Sequence, residues 1–217
     1  MSPEAGRRAV DLAGLAAALA AAQGRARRVV AVAGPPGSGK STFAERLRDV
    51  LATGTPEIAA EILPMDGYHF DDVVLEARGD LPRKGAPHTF DVDGFAAMLT
   101  RLRADDGRDV AVPVFDRAIE MARAAARIVP AATRLVIVEG NYLLLDDPFW
   151  APIRPGFDAT VFLRVPDDAL EARLAARWQG YGMDAAAIRE KLERNDLPNA
   201  RLVNARSVPA DFEVVNA

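Results

Sequence analysis

The chain contains no cysteine. It therefore offers no disulfide framework, no thiolate metal site and no catalytic thiol. Histidine is nearly absent too, and with only His69 and His88 a zinc centre has little to be built from. No uninterrupted apolar run reaches the roughly 18 residues needed to span a bilayer, so no membrane partner is expected. The formal net charge of −4 gives no electrostatic case for nucleic acid as a partner. Lysine occurs only at Lys40, Lys84 and Lys191, and serine only at Ser2, Ser38, Ser41 and Ser207. Alanine and arginine abound, so a GC-rich coding bias is the plain explanation. It makes each surviving lysine, serine and histidine worth locating.

What is present is an ordinary globular composition. The chain has 217 residues, half of them hydrophobic and 27% charged, which excludes low-complexity disorder and fibrous classes. The expectation is one domain over residues 1–217. At the N-terminus Arg7 and Arg8 precede an Ala/Leu-rich run from Ala9 to Ala22, the outline of a signal peptide. Asp11 breaks that run, and Leu12, Leu15 and Leu19 recur at helical spacing, so an amphipathic helix packed on the domain is the reading. The protein reads as cytoplasmic.

Short β-rich runs alternate with helical stretches. Val29–Ala33, Ile58–Pro64, Val110–Val114, Leu135–Val138, Thr160–Val165 and Phe212–Val215 read as strands. Helices are expected from about Lys40 to Leu51, Val92 to Arg103 and Asp167 to Trp178. This order predicts an α/β fold with a largely parallel sheet.

Residues 33–42 read AGPPGSGKST, and Gly34, Gly39, Lys40 and Ser41 satisfy G-x-x-x-x-G-K-[ST]. An apolar strand precedes the motif and a helix follows it. Glycines let such a loop wrap so that successive N–H groups point at phosphate oxygens, and the helix N-terminus adds partial positive charge. Gly34, Pro35, Pro36, Gly37, Ser38, Gly39, Lys40, Ser41 and Thr42 are therefore expected to bind ATP. Lys40 would reach the outer phosphates, and the Ser41 hydroxyl would ligate Mg²⁺. A glycine turn that binds nothing would not need lysine here, in a chain that otherwise uses arginine.

Two acids follow apolar strands, at the edge where open α/β sheets bind ligands. They are Asp66 after Ile58–Pro64 and Glu139 after Leu135–Val138. One such acid can hold Mg²⁺, and a kinase needs a second beside the acceptor hydroxyl. No N-K-x-D guanine-reading motif occurs, which favours ATP over a GTPase switch. The glycine loop precedes a helix and no HRD or DFG occurs, which excludes the protein-kinase fold.

In the order of its motifs the chain resembles the P-loop kinases that include uridine kinase, phosphoribulokinase and type I pantothenate kinase. The segments that carry the resemblance are AGPPGSGKST (33–42), MDGYHFDD (65–72), RKGAPHTFD (83–91), PVFDR (113–117), VEGNYLLL (138–145), ALEARLAAR (169–177) and PADFEVV (209–215). VEGNYLLL and NDLPNARLV (195–203) look like bacterial proteins called fructose-transport-system or nucleoside kinases. The resemblance implies a P-loop NTPase fold with a five-stranded parallel core, the Glu139 strand lying between the phosphate-loop strand and the Asp66 strand. It implies an acceptor-binding region over 65–130 and a helical lid over 166–200. It makes Asp66 the general base or the orienting acid for the acceptor hydroxyl, and it places Tyr68, His69, Lys84, His88, Asp91, Arg117 and Asn141 around the acceptor. A homodimer is implied as well. The segment around Pro87 lacks the His-Pro-Asp signature of uridine kinase, and the chain is shorter than typical pantothenate kinases, so neither acceptor is carried over.

Arg173 and Arg177 stand four apart on a helix whose inward face carries Leu170, Leu174 and Trp178. In kinases of this type a lid presents arginines to the transferring phosphoryl group, with Arg173 in a catalytic role and Arg177 at the nucleotide. Gly180 and Gly182 could supply a hinge. Asn195, Asp196 and Asn199 form a polar cluster to which the sequence gives no role. The resulting expectation is an ATP- and Mg²⁺-dependent kinase acting on an alcohol group of a small metabolite, with Lys40, Mg²⁺, Glu139 and the arginines neutralising charge. The rivals are a regulatory ATPase, which would not need the polar stretch from Asp66 to Arg117, and a nucleotide-binding module without turnover, which would not need both acids.

Overall fold

The computed structural model describes residues 8–22, 24 and 26–216. Arg7, half of the arginine pair before the N-terminal helix, lies outside the described residues.

Six parallel strands form the central sheet, in the order β1-β8-β7-β2-β6-β3. They are β1 (Arg8–Ala9), β2 (Arg28–Ala33), β3 (Ala60–Pro64), β6 (Leu135–Gly140), β7 (Ala159–Arg164) and β8 (Phe212–Val215). Five match the implied core, and the two-residue β1 adds an edge that carries no sequence signal. The neighbouring strands β2 and β6, RVVAVA and LVIVEG, are buried on both faces, as parallel strands covered on both sides must be. One face packs against α1 (Leu12–Ala21) and α2 (Lys40–Thr53), where Leu15 and Leu19 meet Phe43 and Leu47. Asp11 caps α1 by accepting the Gly14 N–H at 2.7 Å. After the short α3 (Asp72–Arg78), α4 (Val92–Arg103) inserts Phe95, Leu99 and Leu102 into the other face. Among the described residues no helix is long and apolar enough to cross a membrane.

The register brings the functional ends together. Val32 pairs with Glu139, Ala33 with Gly140, and Pro64 with Glu139. The phosphate loop, Glu139 and Asp66 thus leave three adjacent strands at one carboxyl edge. The chain passes from β2 through α2 to β3, and β6 later inserts between them. This switch in strand order opens a crevice at that edge.

Val110–Val114 does form a strand, β4 (Val110–Asp116), but outside the parallel sheet. It pairs antiparallel with β5 (Met121–Val129) in a separate hairpin. The hairpin packs against the 3₁₀ turn Met65–Tyr68 that follows β3. A side chain at Gly67 would meet the Pro113 carbonyl oxygen at 2.7 Å, so glycine lets the two backbones close up.

Behind the crevice stand α5 (Asp167–Gly180), α6 (Ala185–Lys191) and α7 (Leu197–Arg206). Residues Leu192–Asp196 join α6 to α7 as a π-turn within one continuous helix. Pro198 has no N–H to return to the preceding turn and its ring crowds that turn's carbonyl, so the helix widens there. The widened turn and the start of α7 bury Asn195, Asp196 and Asn199.

Candidate active site

The glycine loop leaves β2 with two left-handed residues, Gly37 (φ 79°) and Gly39 (φ 78°). Gly39 precedes α2, and no side chain caps the helix there. The first-turn N–H groups are thus left for an anion, as a phosphate cradle requires. Lys40 is buried, and its Nζ donates to the Pro35 carbonyl at 2.9 Å and to Ser38 Oγ at 3.3 Å. Burial lowers its pKa to about 8 against the opposing pull of Glu139 and Asp66. A side chain at Gly37 would meet Leu174 at 3.0 Å, so α5 lies directly over the loop.

Asp66, Glu139 and Lys40 converge on one cavity of about 330 Å³. Ser41 Oγ donates to Glu139 Oε1 at 3.2 Å. Burial and the neighbouring Asp66 charge push Glu139 up to about 7. These two hard oxygen donors suit Mg²⁺, which binds few protein groups and keeps waters and substrate phosphates in its remaining positions. Asp66 accepts a hydrogen bond from the Arg117 guanidinium at the end of β4. Burial works to raise the Asp66 carboxyl. The positive charges around it, of His69 when that ring is protonated and of Arg117, Lys40 and Arg177 throughout, outweigh burial and hold the group below the usual carboxylate range.

On the opposite wall of the cavity His69 stacks between Phe90 and Phe115, with ring centroids 4.0 and 4.8 Å away. Its Nδ1 lies 2.8 Å from the Asp66 carbonyl. That oxygen can only accept, so Nδ1 carries the proton and a neutral ring leaves Nε2 as an acceptor. Burial lowers the His69 pKa, which favours the neutral ring. Lys84 lines the cavity and donates to Asp72 and to the Glu120 carbonyl. Asn141 and Thr42 line it as well.

Three expected acceptor residues stand elsewhere. Tyr68 packs on Phe95 in the core, because the 3₁₀ turn points the ring inward, and its buried hydroxyl has no hydrogen-bond partner among the described residues. His88 is half-exposed and lies 3.5 Å from Asp80. Asp91 caps α4 by accepting the Gly94 N–H at 2.9 Å. Both line a second cavity on the far side of Phe90. Of the loop residues, Gly34, Pro35 and Ser38 lie behind the cavity wall. A side chain at Gly34 would meet the Leu163 carbonyl at 3.1 Å.

Arg173 and Arg177 both reach the cavity from α5. Arg173 donates to the Asn216 carbonyl at 3.0 Å, and Asn216 Nδ2 donates to the Ser38 carbonyl at 2.7 Å. A lone asparagine after the last strand thus ties α5 and the phosphate loop together, with no pattern to announce it. Gly182 adopts φ 78° in the turn after α5, in open space. Asn195, Asp196 and Asn199 line the cavity too. Trp178 donates its indole N–H to Asp196 at 2.6 Å, Lys191 lies 4.3 Å from the ring centre, and Asn195 donates to the Lys84 carbonyl at 2.8 Å. Burial raises the Asp196 carboxyl.

Comparison with known proteins agrees with this geometry. A structure of a "putative fructose transport system kinase" from Silicibacter sp. TM1040 superposes with a TM-score of 0.87 at 41% identity, covering 94% of this chain and 98% of that one. The Escherichia coli protein "Uncharacterized protein YggC" is 37% identical over 91% of this chain and 81% of its own. The Schizosaccharomyces pombe protein named "Putative uridine kinase C227.14" is 34% identical over 86% of this chain and 82% of its own. Residues 29–200 match the sequence profile described as Phosphoribulokinase / Uridine kinase family. That span holds the phosphate loop, both strand-end acids and the two α5 arginines, and the chain belongs to this family of P-loop kinases.

Proposed function

We propose that the protein transfers the γ-phosphoryl group of ATP to an alcohol group of a small metabolite, a sugar, a nucleoside or a pantothenate-like compound. The observation that carries this reading is the convergence of Lys40, Glu139 and Asp66 on one cavity whose other wall is polar and reaches His69, Lys84 and Asn141. A nucleotide hydrolase needs the first half of that cavity and has no use for the second.

In the proposed reaction the loop N–H groups and Lys40 hold the phosphates. Mg²⁺, held by Ser41 and Glu139, would neutralise charge on the phosphate oxygens. Asp66 aligns the acceptor hydroxyl and takes its proton as the new O–P bond forms. The bond from the γ-phosphorus to the bridging oxygen breaks, and ADP leaves with that electron pair. Arg173 and Arg177 offset the charge that spreads over the equatorial oxygens. The proposed setting is the cytoplasm, where ATP is available.

The test is an ATP-consumption screen across ketohexoses, nucleosides, pantothenate-like compounds and other polyols. ADP formation stimulated by one class supports the reading. Hydrolysis that no compound stimulates favours the regulatory ATPase instead.

A further inference from the structure

The second cavity is twice the volume of the first, about 660 Å³ against 330 Å³. It lies between the segment 83–93, the turn around Trp150 and the start of α7, and shares only Phe90 and Asn199 with the phosphate-loop cavity. Neither strand-end acid nor any phosphate-loop residue lines it. Its size and its mix of aromatic wall and few polar groups are those of a small-molecule site.

The lining specifies a ligand class. Leu202, Phe70 and the 77%-exposed Phe149 form its apolar surface, with Trp150 and Phe90 buried behind them. Asp91, Asp93 and Asp147 contribute three carboxylates, against Arg83 as the one permanent positive charge among the lining residues. His88 is engaged with Asp80. Asp91 and Asp147 each use Oδ1 on a backbone N–H, of Gly94 and Phe149. Their Oδ2 atoms have no partner among the described residues. The same wall already makes a cation–aromatic contact, because the Arg78 guanidinium sits 4.2 Å from the centre of the Phe70 ring. Asn199 is 3% exposed and gives its Nδ2 to Asn195, while its Oδ1 accepts no hydrogen bond from the described residues.

We propose that this cavity is a binding site for a small organic cation with an aromatic or similarly flat apolar body, separate from the site of phosphoryl transfer. The apolar body packs among Phe70, Phe149 and Leu202, and the ammonium group meets the carboxylates of Asp91 and Asp147. This binding requires neither nucleotide nor Asp66, so it stands or falls independently of the kinase reading. Phe90, which forms the shared wall and stacks on His69, is the physical link between the two cavities.

The test is calorimetric titration of the full chain, without ATP, using 2-phenylethylamine, the neutral 2-phenylethanol and the anionic phenylacetate. The amine is expected to bind saturably, the alcohol at least tenfold more weakly, and the acid not at all. Asp147→Asn keeps the oxygen that accepts the Phe149 N–H and should weaken amine binding at least threefold while leaving the alcohol unchanged. Leu202→Trp, which fills the cavity, should abolish amine binding while ATP affinity is retained. Equal binding of amine and alcohol, preference for the acid, or no binding of any probe by a protein that still binds ATP would each overturn the proposal.

Discussion

Ser41 Oγ donates to Glu139 Oε1 across 3.2 Å, joining the start of α2 to the end of β6. Two residues nearly a hundred positions apart meet because β2 and β6 are neighbours in register, Val32 beside Glu139. The pair has the donor chemistry of a Mg²⁺ site, and its carboxyl is pushed up to about 7.

This sets the sign of a pH effect. Mg²⁺ needs ionised Glu139, so below pH 7 a proton competes with the metal. Apparent Mg²⁺ affinity of the free protein should fall about tenfold per pH unit below 7 and level off above 8. Calorimetric Mg²⁺ titrations at pH 6, 7 and 8 check this, and Glu139→Gln should remove the dependence.

Arg117 and Asp66 form the second pairing across elements, between the β4 end and the 3₁₀ turn. Removing a neighbouring cation raises a carboxylate pKa by about one unit or more. In Arg117→Ala the acid limb of the kcat/KM profile should therefore move to higher pH by about one unit. An unmoved limb would mean that Arg117 does not tune Asp66.

Stability should depend on Arg27, whose side chain is buried. Its guanidinium donates to the carbonyls of Thr133, Leu102, Pro130 and Ala131 and pairs with Asp105 at 3.3 Å. Arg27→Ala strands these acceptors and should cost about 3 kcal/mol. Urea unfolding measures it, and a loss below about 1 kcal/mol would refute the anchoring role.

Much of this site was legible because it is written in contiguous patterns. The phosphate loop, its flanking strand and helix, and both strand-end acids stand in runs whose local physics is distinctive. A five-stranded parallel core, with the Glu139 strand between the phosphate-loop and Asp66 strands, came with the family resemblance; the places of β7 and β8 did not. The second strand of the hairpin hid in MARAAARIV, where alanine and arginine favour a helix and only pairing with β4 selects an extended chain. Tyr68 and His69 are adjacent in sequence, yet the 3₁₀ turn sends one ring to the core and the other to the cavity. His88 and Asp91 follow the same loop but face the second cavity, because Phe90 between them is the wall. The roles of Asn195, Asp196 and Asn199 wait on a π-turn, which no periodicity announces. Asn216 waits on a tertiary contact.

Phosphoryl transfer from γ-labelled ATP to the acceptor found in the screen, by wild type and Asp66→Asn, with ATP affinity measured alongside, tests the central claim. The account predicts ATP affinity within about twofold of wild type and transfer reduced about 1,000-fold, the scale of a lost general base. Wild-type transfer by Asp66→Asn would contradict it.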